Sequence, residues 1–108
     1  MNKIEELISL SLGSGLSITS GNTSIKHKHK DGDFTVTLSG REILFRIDGK
    51  LYVDLNNMGS KVLVSRLNFI LNLLNSKVRF VKSEGKIYFI KDGDGDFTLA
   101  LSSGKFEI

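Results

Sequence analysis

The chain has 108 residues, 40% of them apolar and 25% charged, with a formal charge of +3 and a sequence pI near 9.3. That length suits one domain, residues 1–108, which buries roughly two-thirds of the surface its unfolded chain exposes. It contains no cysteine, which excludes disulfides, thiolate catalysis and cysteine-ligated zinc, and its basic balance argues against a carboxylate-covered mimic of DNA.

The opening Met1-Asn2-Lys3-Ile4-Glu5-Glu6 places two acids where a secretory leader wants positive charge and an apolar run. No stretch approaches the roughly 20 apolar residues that span a bilayer. With the lack of cysteine, this predicts a cytoplasmic protein with no membrane partner. Asn2 and Glu5 have the spacing of a capping box. Ile4, Leu7 and Ile8 share one face of the short helix that follows, and Gly13 is the expected stop. Residues 14–22 are small and polar around Leu16 and Ile18, and suit either a short edge strand or a loop.

From Thr23 the period becomes two. Ile25, His27 and His29 point one way, and Lys26, Lys28 and Lys30 the other. Asp31-Gly32-Asp33 turns the chain into a strand with Phe34, Val36 and Leu38 on one side. Ser39-Gly40 and Asp48-Gly49 are the next turns, flanking strands at residues 42–48 and 50–55. Four strands in meander order are expected. Asn56-Asn57-Met58-Gly59 breaks the pattern, and Ser60 is a good N-cap. Leu63, Leu67, Ile70, Leu71 and Leu74 then follow helical spacing to Asn75, opposite Arg66, Asn68 and Asn72. Strands resume at residues 77–82 and 86–91 around Glu84-Gly85. Phe97, Leu99 and Leu101 alternate in another, and Ser103-Gly104 leads to a terminal strand. The fold class is α+β: a mostly antiparallel sheet in meander order, one main helix packed on it and a short N-terminal helix.

The segment Lys30-Asp31-Gly32-Asp33-Phe34-Thr35 is echoed by Gly93-Asp94-Gly95-Asp96-Phe97-Thr98, each copy running on to a leucine, serine, glycine and base. A duplicated hairpin and the plain recurrence of turn words both account for it. Asp92, Asp94 and Asp96 resemble the first half of a calcium loop, but Phe97 and Ser103 stand where an EF-hand needs glycine and an acid. His27 and His29 could hold a metal only with a third ligand that the sequence does not name. No cofactor is implied. Nucleophile-elbow, Walker, dinucleotide and HExxH motifs are absent, which points away from an enzyme and leaves a small hydrolase as the third reading.

Lys26, Lys28 and Lys30 form a row spaced about 7 Å. Such a row can track phosphates, with Arg46, Arg79, Lys82, Lys86 and Lys91 joining if the fold gathers them. It can equally protect a sheet edge from pairing with another chain. Tyr52 and Tyr88, each two residues after a lysine and opposite the apolar face of its strand, are candidate stacking platforms. The most informative runs are Ile43-Leu44-Phe45 and Ile87-Tyr88-Phe89-Ile90. They are apolar on both sides, whereas a one-sided antiparallel strand alternates. The helix at 60–75 covers one face, and the short first helix only part of the other. The leading expectation is therefore a non-enzymatic binding protein acting through protein–protein contact, a homo-oligomeric accessory or inhibitor protein of the phage-encoded kind. The alternative is a nucleic-acid or nucleotide binder using the basic strand.

Overall fold

The structure is a computed structural model that describes residues 2–28, 32–91 and 95–108. Helix α1 (Lys3–Ser14) begins at Asn2, whose side chain accepts from the Glu5 amide while the Glu5 carboxylate accepts from the Asn2 amide. The helix runs past Gly13 and stops at Gly15, which adopts the left-handed conformation and donates its amide to Ser11 O. Five strands follow in meander order: β1 (Ile18–Ser20), β2 (Thr23–His27), β3 (Phe34–Leu38), β4 (Arg41–Ile47) and β5 (Lys50–Val53). Helix α2 (Lys61–Leu73) is capped by Ser60, whose hydroxyl accepts from the Leu63 amide. It ends in a Schellman arrangement: Ser76 N–H bonds Leu71 O, Asn75 N–H bonds Asn72 O, and Asn75 has φ 58°. Strands β6 (Arg79–Ser83), β7 (Lys86–Ile90) and β8 (Thr98–Leu99) make a second sheet. Strand β9 (Phe106–Glu107) returns to the first and pairs antiparallel with β5. The protein is thus α+β, with mostly antiparallel pairing and two sheets instead of one.

One apolar cluster serves both sheets. Ile25, Val36, Leu44, Val53 and Phe106 lie in register across the first sheet, on the face that the helices and second sheet cover. Phe80 packs tilted against Phe89, and Phe89 stacks on Phe106, with ring centroids 5.7 and 5.5 Å apart, which joins the two sheets. α2 contributes Leu63, Leu67, Ile70 and Leu71, all fully buried.

Three findings correct the sequence expectations. First, the β3–β4 register shifts between Val36 and Thr37, so Ile43 is the extra residue of a β-bulge. The bulge lets both Ile43 and Leu44 enter the core, while Phe45 faces outward and is covered internally, with Lys105 Nζ 4.1 Å from its ring centroid. This strand therefore needs no partner. Second, β2 is not an edge. β1 pairs with it through Ile25, and beyond that the His27 amide is held by Ser17 Oγ. Third, of the two accounts of the echoed segments, the recurrence of turn words fits the fold and a duplicated hairpin does not. Ser39-Gly40 joins two paired strands, whereas Ser103-Gly104 leads from β8 in one sheet to β9 in the other.

The hairpin turns show one local conflict. Glu84 (φ 51°) and Gly85 (φ 77°) are both left-handed, as a two-residue type I′ turn requires. Glutamate is a poor occupant of that first position, since left-handed backbone costs an ordinary L-residue roughly 1 kcal/mol or more. Glu84→Asn is expected to raise stability by about 0.5–1 kcal/mol, since asparagine tolerates that conformation. It should appear as a higher urea midpoint with an unchanged slope.

Candidate protein-contact surface

The residues singled out for anion binding do not converge. Lys26 lies exposed on the outer face of the first sheet, in register with Thr35, Phe45 and Tyr52. Lys28 follows β2 and donates its amide to Asp33 O. Arg46 is on the opposite face, paired with Phe34. Arg79 is spent on the end of α2, donating to Ser76 O (2.8 Å), Val78 O (2.7 Å) and Asn72 Oδ1 (3.2 Å). Tyr52 and Tyr88 stand on different sheets. The outer face beside Phe45 has Arg41 and Lys105 near Lys26, but Glu42 and Asp54 line the same hollow, so its charge is mixed.

His27 has a structural task. Its Nε2 lies 3.1 Å from Ser11 Oγ, and its ring packs on Phe34 at 5.7 Å. The buried Ser11 hydroxyl donates its proton to Leu16 O at 2.6 Å, so the imidazole is the donor in the first contact. Among the described residues, no three His, Asp or Glu side chains group as metal ligands. Lys30, His29, Asp92 and Asp94 lie outside the described residues.

A different surface stands out. In the second sheet, Phe80, Ile87, Phe89 and Ala100 turn to the core, and Val81, Tyr88 and Leu99 form a row on the other face. Leu99 is 54% exposed, and Phe97 and Leu101, both 56% exposed, lie two residues to either side. Alternation in the sequence groups these three correctly but does not say which way they face. The ladder decides it: Leu99 pairs with Tyr88 on the outer row, and Ala100, next to it and bonded to Ile87, is buried, so the small alanine fills the inward position. The sequence signal that could have revealed this is Ala100, the one small apolar residue between Leu99 and Leu101, which is small enough to pack inward.

Beside this row is a cavity of about 470 Å³, lined chiefly by Leu55, Met58, Ile87, Leu99, Ala100 and Leu101. The chain builds it by leaving β7 after Ala100 and carrying Leu101 and Ser102 toward the β5–α2 loop. Asn57 N–H bonds Ser102 O at 2.6 Å, and Asp54 Oδ1 accepts from both Gly104 N–H (3.1 Å) and Asn56 N–H (2.9 Å). Asn56 and Asn57, both left-handed, make the bend that allows this. The Asn56 side chain donates to Glu42 O, and Arg41 Nη1 donates to Asn56 O, which ties the loop to the first sheet.

The chain matches no known family model, no curated protein and no solved structure. The surface must therefore be read from its own chemistry. Its cavity is lined mostly by apolar residues, with Lys86 also in the lining, and it is built on paired strands. Among the described residues, no helix is long and apolar enough to cross a membrane.

Proposed function

We propose that this is a small non-enzymatic protein that works by protein–protein contact and associates with itself through the outer face of β7 and β8, in an accessory or inhibitory role. The observation that carries the reading is the joint exposure of Phe97, Leu99 and Leu101 beside Val81 and an apolar cavity. Scattered apolar residues on a surface need no explanation, but a contiguous row next to a cavity is characteristic of a binding face. The cysteine-free composition suits work in the cytoplasm. A nucleic-acid reading has weaker support, because Lys26, Arg46 and Arg79 occupy three separate places and Lys105 already covers the Phe45 ring.

Light scattering over a concentration series tests the reading. The apparent mass should rise above that of a monomer. Leu101→Glu should return it to the monomer with little change in urea stability, since an exposed side chain contributes little to folding. A wild-type protein that stays monomeric at the highest attainable concentration would overturn the proposal.

A further inference from the structure

We infer that two copies of this chain meet edge to edge, with β8 of one pairing antiparallel with β8 of the other about a two-fold axis at Leu99. Two three-stranded sheets thereby become one of six strands. The inference rests on the self-association proposed above and gives it a geometry.

The backbone supplies the first reason. β8 is the outer strand of its sheet. Ala100 N–H bonds inward to Ile87 O, and Ser102 O is bonded inward by Asn57 N–H. In an antiparallel strand the backbone groups of successive residues point alternately to the two sides. Those of Leu99 therefore point outward, and we extend the alternation to Phe97 and Leu101 on either side of β8; among the described residues no strand occupies that edge.

The second reason is the missing protection. Native edges are guarded by charge, proline, bulges or brevity. β8 itself is only two residues long, but the segment 97–101 that contains it reads Phe-Thr-Leu-Ala-Leu, with no charge, proline or glycine. The other outer strands carry such protection. At Phe80 the free side of β6 is taken by Asn68, whose amide bonds both Phe80 N–H and Phe80 O at 2.8 Å. β1 carries the polar Thr19 and Ser20, and β9 carries the charged Glu107.

The third reason is self-complementarity, which a two-fold interface demands. With Leu99 on the axis, Phe97 faces Leu101 of the second copy, Thr98 faces Ala100, and Leu99 faces itself. Every pair is uncharged. The apolar row Val81–Tyr88–Leu99 runs on into the same row of the second copy in reverse.

Because the chain has no cysteine, a single introduced thiol reports on this geometry. Directly opposed residues that exchange backbone hydrogen bonds have Cα atoms about 5.5 Å apart, within the disulfide range. Under mild oxidation, Leu99→Cys should give a reducible covalent dimer as its main product. Leu16→Cys and Val62→Cys, at sites 63% and 49% exposed, should stay monomeric at the same concentration. In the wild-type protein, amide exchange at Leu99 and Leu101 should slow by about tenfold or more as concentration rises. If the wild type self-associates but Leu99→Cys cross-links no faster than the controls and these amides stay unprotected, edge pairing is overturned and self-association stands. If the wild type remains monomeric, both fall together.

Discussion

Leu67→Ala and Ile70→Ala should each cost about 2–5 kcal/mol of folding stability, the range for truncating fully buried aliphatic side chains in a close-packed core. Both residues are 0% exposed, on the stripe that α2 turns to the common cluster with Leu63 and Leu71. A domain of this size has about 5–15 kcal/mol in all, so either change removes a large fraction of it. Urea denaturation measures the loss as a fall in midpoint. Val62→Ala on the same helix is the control: Val62 is exposed, and its truncation should stay within about 0.5 kcal/mol. Losses of a few tenths at Leu67 or Ile70 would mean that the stripe is not packed as described.

The features most legible in the sequence are those decided within a few residues. The capping pair Asn2 and Glu5, the Ser60 cap, the α2 stripe and the Asp48-Gly49 turn need only local chemistry, and each forms as expected. The stop of α1 was legible only to within a turn, because Gly13 and Gly15 both flank Ser14 and only the latter adopts the left-handed conformation. What escaped depends on how distant strands register. Ile43, Leu44 and Phe45 look two-faced in sequence, and nothing local announces the bulge that sends the first two inward. The lysine row looks like an edge because the pairing of Ile18–Ser20 with β2 is carried by three weakly patterned residues. β7, by contrast, is two-faced in fact: Ile87 and Phe89 face inward while Tyr88 lies on the outer row with Val81 and Leu99. The sequence therefore pointed to an uncovered strand but could not say which of two candidates it was.

Asn68→Ala is the second change expected to have a large effect, and its cause is different. Asn68 sits on α2, yet its side chain does the work of a neighbouring strand. Oδ1 accepts from Phe80 N–H and Nδ2 donates to Phe80 O, both at 2.8 Å. The two partners also fix which way round the amide sits, since a backbone N–H needs an acceptor and a carbonyl a donor. Alanine at this position leaves a donor and an acceptor unpaired at a part-buried edge. Each orphaned group costs about 1–3 kcal/mol when buried. With partial access of water, the sum should be about 2–4 kcal/mol. Asn68→Asp keeps the acceptor for Phe80 N–H but sets a carboxylate oxygen against Phe80 O, so it should restore little. Asn68→Gln carries the same amide on a longer arm and should recover part of the loss. The same substitution removes the hydrogen-bonding cover that Asn68 gives the free side of β6 at Phe80. Asn68→Ala should therefore form larger assemblies at concentrations where the wild type forms dimers, because a protomer with two open edges can propagate where one with a single edge must close. Urea denaturation and light scattering on the same samples read the two effects separately. Full stability together with wild-type assembly would show that Asn68 neither holds nor guards the strand.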